Sequence, residues 1–270
     1  MWPFRSRPRP AAPASQSPGT PGLIVAMVDD VVDPRVVVYH DPAGQQAEQY
    51  RSFRTNLRAM NPKGEPRTLL FTSAQPREGK SVTVVNIACA LAESAGSRVC
   101  RVDADLRAGQ LHKLLGCLGT PGLGDVLLDG VPPRRALQAT PLNNLTLLPA
   151  GRAVDNPGEL FTSAYLQELI SVLKRQHEYV LIDSPPVLAF ADACELGRLM
   201  DGVLLIVAIE ETRRRDAERS LAILADAGAH VMGTFVTGAL PQDEDRPTVP
   251  DAEDAAEEQD SEDGGPAARV

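Results

Sequence analysis

Ala74-Gln-Pro-Arg-Glu-Gly-Lys-Ser81 follows the apolar run Thr68-Leu-Leu-Phe-Thr-Ser73 and opens a helix-length segment over 80–95. A phosphate chain is held by inward backbone N–H groups, a helix N-terminus, a lysine on the outer phosphates and a hydroxyl for Mg²⁺. Gly79, Lys80 and Ser81 supply the last part of that pattern. The strict motif opens on glycine, whereas this stretch opens on Ala74. Read alone, it also fits a strand-to-helix turn carrying an exposed lysine.

Outward from it, the chain alternates regularly. Further β-branched apolar runs lie at 98–103, 145–149, 179–183, 203–209 and around 231–237. Helix-length segments occupy 46–60, 80–95, 158–176, 190–199 and 212–228. Apolar strands separated by helices predict an α/β fold: a mostly parallel sheet with right-handed crossovers and helices on both faces. Two strands end in carboxylates, as Arg101-Val-Asp103-Ala-Asp105-Leu-Arg107 and Val180-Leu-Ile-Asp183-Ser-Pro-Pro186. At the C-terminal edge of a parallel sheet such groups stand beside the phosphate loop, where a metal and an attacking group belong. Either aspartate alone reads equally well as a helix cap or turn residue; the loop and both carboxylates together, each after an apolar strand, are the stronger signal. No Asn-Lys-x-Asp segment reads guanine, which favours ATP, and no G-x-G-x-x-G follows a strand, which disfavours a dinucleotide enzyme.

The flanks differ in kind. Residues 1–22 hold six prolines and three arginines, and 241–270 hold eleven acids. They are expected to be a disordered arm and a disordered acidic tail around one domain over 23–240. The tail accounts for the net charge of −9; the middle is close to neutral, and no nucleic-acid partner is expected. Four scattered cysteines without a CxxC pair argue against zinc or a disulfide framework and for a reducing compartment. The longest apolar runs, 23–28 and 203–209, are six and seven residues, against about 20 for a spanning helix.

These motifs together resemble the bacterial tyrosine kinases, P-loop ATPases of the MinD/ParA-like group that serve capsule and exopolysaccharide production. The resemblance runs over roughly 36–238. It includes the phosphate loop, Asp-Ala-Asp-Leu-Arg up to His112, Ile-Asp-Ser-Pro-Pro-Val, Gly122–Leu128, Leu148-Pro-Ala-Gly151 and Asn156-Pro-Gly-Glu-Leu160. It implies ATP and Mg²⁺ as cofactors, bound by Ala74, Gln75, Pro76, Arg77, Glu78, Gly79, Lys80 and Ser81. Lys80 would hold the phosphates and Ser81 would ligate Mg²⁺. Asp103 and Asp105 would serve the metal and the incoming hydroxyl, one of them as base. Asp183 would reach the metal through water, and Arg107 would support the site. Thr237 stands where the family commonly has an adenine-reading Asn, which suggests looser nucleotide preference.

Glu48, Arg51 and Arg54, at i, i+3 and i+6, share one side of a helix, which in the family contacts a neighbouring subunit in a ring; the flanking Thr55-Asn56-Leu57 match favours that contact over a solvated charged face. A separate inner-membrane co-polymerase is implied as partner, with the protein cytoplasmic and peripheral to the membrane. The family's C-terminal tyrosine cluster has no counterpart: the only tyrosines are Tyr39, Tyr50, Tyr165 and Tyr179. Tyr165 and Tyr179 are expected to be packed, leaving Tyr39 and Tyr50 as internal acceptors, and an ATPase switch that phosphorylates nothing is the alternative. A MinD/ParA-type positioning ATPase is disfavoured by Gln75, where that group carries a second lysine.

Overall fold

The computed structural model describes residues 32–238; the expected arm and acidic tail lie outside the described residues. The first half of the fold runs α1 (Val37–His40), α2 (Gln45–Ala59), β1 (Arg67–Ser73), α3 (Lys80–Ala92), β2 (Val99–Asp103), α4 (Leu111–Leu114), α5 (Leu123–Asp129) and α6 (Pro133–Ala136). It continues with β3 (Gln138–Ala139), β4 (Leu145–Leu148), α7 (Gly158–Phe161), α8 (Ala164–Gln176), β5 (Tyr179–Asp183), α9 (Asp192–Gly197), β6 (Gly202–Ala208), α10 (Arg214–Asp226) and β7 (Val231–Thr237).

The strands form one sheet in the order β3-β4-β2-β5-β1-β6-β7, parallel except for the β3–β4 pair. Strand side chains alternate between faces, and in β1, β2, β5 and β6 both faces are buried. Leu69, Phe71, Leu181, Leu204 and Ile206 face a core shared with α2 and α3. Leu70, Val102, Val180, Ile182 and Val203 face another, filled by Leu166, Leu169, Ile170 and Leu173 of α8. That α8 stripe has the i, i+3, i+4, i+7 spacing of an amphipathic helix. The sheet is therefore doubly wound, as the alternating apolar runs predict.

Two departures from the sequence reading have local causes. The single helix expected over 158–176 is broken at Thr162–Ser163, where the Ser163 hydroxyl accepts the Leu166 N–H at 3.2 Å and caps α8. The antiparallel edge strand β3 went unpredicted, because two residues carry no readable period.

Gly122 and Gly151 also acquire a physical role. Leu123 and Gly124 donate backbone hydrogen bonds to the Pro149 and Ala150 carbonyls, both at 2.8 Å. This seats the start of α5 against the end of β4. A Cβ built on Gly122 would overlap the Pro149 carbonyl oxygen and the Gly151 amide. Gly122→Ala should lower stability by about 1–3 kcal/mol, the usual cost of forcing atoms into packed backbone. Chemical denaturation checks this; a wild-type midpoint would mean that the two segments separate freely.

Candidate active site

β1 and β5 are adjacent and parallel, with Phe71 level with Asp183, and β5 and β2 are adjacent, with Asp103 level with Asp183. This register brings both predicted strand-end carboxylates to one edge of the sheet, where the loop after β1 turns into α3. Arg77 and Gly79 both take positive φ, 71° and 73°, which folds the loop tightly before Lys80. Arg77 adopts this left-handed conformation against the steric preference of its side chain.

Lys80 and Ser81 then converge on one carboxylate. Lys80 Nζ donates to Asp183 Oδ1 at 2.5 Å, and the Ser81 hydroxyl donates to Oδ2 at 2.7 Å. Asp103, fully buried, accepts the Leu111 and Asp105 N–H groups at 3.0 and 3.3 Å. Burial first, and the neighbouring Asp183 charge second, push the Asp103 carboxyl up to about 7. Asp105 caps the following turn by accepting the Ala108 N–H at 3.0 Å.

These groups line a cavity of 640 Å³ bounded on the loop side by Pro76, Arg77, Gly79, Lys80 and Ser81. The rest of the loop is not on its wall. Glu78 turns away and is buried; one carboxylate oxygen accepts the Gln75 N–H at 3.0 Å and the other the Thr212 hydroxyl at 2.7 Å. Its observed work is to brace the loop against the segment after β6. Gln75 contributes its N–H to that brace, and its carbonyl accepts the Ser73 hydroxyl at 2.9 Å; the Ala74 carbonyl instead accepts the Leu188 N–H at 3.4 Å, on the segment after β5.

Other predicted residues stand off the cavity wall. Arg107 pairs with Asp192 and lies over the Phe190 ring, 4.4 Å from its centroid, so it fixes the segment after β5. Thr237 closes the far end of β7, where its carbonyl accepts the Ile209 N–H at 2.8 Å. Arg51 and Arg54 are committed within the chain: both bond Glu93 at the end of α3, at 2.6 and 2.9 Å. Arg54 also donates to the Ala90 carbonyl at 2.8 Å. Glu48 alone of that strip stays largely exposed, at 68% of its side chain. Charge reversal at the two arginines would therefore strike the fold itself, contrary to what the bare spacing suggests.

The tyrosines also redistribute. Tyr50 is half-buried and stacks on Phe235 at 5.8 Å, which removes it as an open acceptor. Tyr165 is exposed instead of packed, as is Tyr39, while Tyr179 is buried.

The sequence reading missed several neighbours of the site. Arg101, in the middle of β2, is fully buried, and none of its guanidinium nitrogens has a hydrogen-bond partner among the described residues. Burial pushes its pKa down, opposed by the charges of Asp183 and Asp103. It is a cation behind two carboxylates, and an arginine inside an apolar run was its only signal. Asp33, Arg35, Gln110 and Lys113 also line the cavity.

No protein-family model matches the chain. It is 34% identical over 203 residues to the tyrosine-protein kinase YwqD of Bacillus subtilis, covering 75% of this chain and 85% of that protein. Among solved structures it is similar to the kinase domain of the Escherichia coli tyrosine kinase ETK, with a TM-score of 0.74 and 25% identity over 79% of this chain and 83% of that one. It is also similar to the septum site-determining protein MinD of Pyrococcus horikoshii complexed with Mg-ADP. There the TM-score is 0.54 and the identity 26%, over 63% of this chain and 69% of that one.

The raised Asp103 pKa fixes a sign. Between the unfolded value of about 3.9 and about 7, the folded chain binds this proton more tightly than the unfolded chain. The contribution of Asp103 to stability therefore falls as pH rises through that window. Without metal or nucleotide, the melting temperature of Asp103→Asn relative to wild type should rise between pH 5 and pH 8. Thermal unfolding at the two pH values checks it; a pH-independent difference would mean that the carboxyl is ionised throughout.

Proposed function

Because this chain belongs to the bacterial tyrosine-kinase family, we propose that it binds and hydrolyses Mg-ATP to regulate exopolysaccharide or capsule polymerisation and export with a membrane co-polymerase. The observation that carries the reading is the convergence of Lys80 and Ser81 on Asp183, with Asp103 in register beside it. A lysine, a hydroxyl and two carboxylates at a helix N-terminus suit a triphosphate and a hard, oxygen-seeking cation. Ser81, Asp103, Asp105 and Asp183 would hold Mg²⁺, which when bound supplies neutralisation of phosphate charge.

Lys80 exchanges its contact with Asp183 for phosphate oxygens, and the loop N–H groups take the remaining phosphate charge. Asp103 or Asp105 accepts the proton of the attacking hydroxyl; a carboxyl poised near 7 suits a general base at neutral pH. Arg107, paired with Asp192, would support the site, and Thr237 would contact the base.

A second reading, an ATPase switch without autophosphorylation, is favoured by the tyrosines. The sequence after residue 179 contains none, and only Tyr39 and Tyr165 are exposed. Mapping phosphosites after incubation with labelled ATP separates the two. Strong phosphotyrosine at sites needed for polymer output supports the kinase; retained hydrolysis with an unmodified chain supports the switch.

The central test is Lys80→Met. Titration calorimetry should show strongly weakened ATP binding, or binding without turnover, in a variant with an intact fold. Asp183→Asn should lose hydrolysis more than affinity. Wild-type ATP affinity and turnover in both variants would overturn the site.

Self-association in a ring remains part of the proposal, and Glu48 is its cleanest probe. Glu48→Arg should reduce particle size in light scattering with ATP present while leaving the melting temperature near that of wild type. Unchanged particles of more than one subunit would place the contact elsewhere.

A further inference from the structure

Val32, Val36 and Val38 are buried in the core beside α3, so the segment before α1 is packed down along the helix that carries Lys80 and Ser81. Its backbone is fixed at several points. Asp33 N–H donates to the Leu114 carbonyl at 3.0 Å. Asn86 of α3, fully buried, donates to the carbonyls of Arg35 at 2.9 Å and Val82 at 3.0 Å, and accepts the Val38 N–H at 3.0 Å. A buried amide is costly unless bonded, and this one spends its bonding on holding residues 35–38 against α3.

The side chains that this anchoring presents are a matched pair. Arg35 Nε donates to Asp33 Oδ1 and Nη2 to Oδ2, each at 2.9 Å, forming a two-point fork. Nη1 makes no hydrogen bond to the described residues, and the arginine side chain is 65% exposed. An exposed ion pair contributes little to stability, so the fold alone gives no reason to lock this guanidinium in place. Arg35 and Asp33 line the same cavity as Lys80, Ser81 and Asp103.

Their position along that cavity selects the ligand atom. The Leu114 bond sets them against α4, the helix whose Leu111 N–H bonds Asp103, and Asp105 and Lys113 line the same cavity. The opposite flank of the loop is braced by Glu78 and Thr212 to the segment after β6. A phosphate chain running from the loop toward the strand-end carboxylates would bring its last phosphate into the cavity that Arg35 lines. A fixed planar guanidinium is suited to bonding phosphate oxygens at two points.

We propose that Arg35, oriented by Asp33 and by the Asn86 clamp, is a further binding residue for the terminal phosphate of a nucleoside triphosphate. This rests on the nucleotide reading above and adds a residue from outside the phosphate loop and the strand ends.

Titration calorimetry with Mg-AMP-PNP and Mg-ADP tests it on the full chain. Arg35→Ala should lose about tenfold in AMP-PNP affinity, the worth of one charge-assisted contact, while ADP affinity stays within about twofold. Arg35→Lys, which keeps the charge without the fork, should recover part of the loss. Equal losses for both nucleotides, or no loss for either, would overturn the proposal. If Lys80→Met weakens both nucleotides and Arg35→Ala keeps the wild-type affinity ratio, this inference alone fails. If Lys80→Met and Asp183→Asn both bind and turn over ATP as wild type does, the nucleotide site fails and this inference with it.

Discussion

Asp183 receives Lys80 on one carboxylate oxygen and Ser81 on the other, and much of the site follows from that junction. It joins the start of α3 to the end of β5, 102 residues later. Neither charge would be tolerated there alone, since a buried ion without a partner is strongly unfavourable. The pair therefore fixes where the loop after β1 sits relative to the sheet edge. The parallel register then places Asp103 beside it, and the cavity forms between them.

Placing two carboxylates on neighbouring buried strands concentrates negative charge in a region of low polarizability. The fold answers in two ways. Asp103 takes a raised pKa and two backbone N–H donors. Arg101 supplies a positive charge from within β2 while making no hydrogen bond among the described residues. A buried guanidinium without partners is poor for stability; its electrostatic effect on the adjacent carboxylates is the compensation visible in the structure. Strain at the non-glycine Arg77 belongs to the same pattern, in which local cost collects at the site of chemistry.

The charged strip on α2 shows how a spacing rule and a tertiary contact divide the same residues. Glu48, Arg51 and Arg54 do share a helix side, as their spacing requires. Yet Glu93 at the end of α3 takes both arginines, so their main observed work is to fasten α2 to the phosphate-loop helix. The stacking of Tyr50 and the edge contact of Phe53 on Phe235 fasten the same helix to β7. α2 thereby spans α3 and the sheet edge and presents Glu48 outward.

The amino-acid sequence by itself determined the doubly wound sheet, because β-branched runs of strand length separated by helical segments have few other ways to bury both faces. It determined the phosphate loop and the strand-end carboxylates, because those residues are adjacent to the elements that position them. Only the tertiary structure decided that Glu78 braces the loop while Pro76 and Arg77 line the cavity, since that depends on Thr212, 134 residues away. It likewise decided that Arg101 is buried without a partner, that Arg51 and Arg54 close on Glu93, and that residues 32–38 reach the rim of the cavity. In each case the deciding partner lies on another element, and local periodicity carries no information about which distant groups a packed fold brings within a few ångströms.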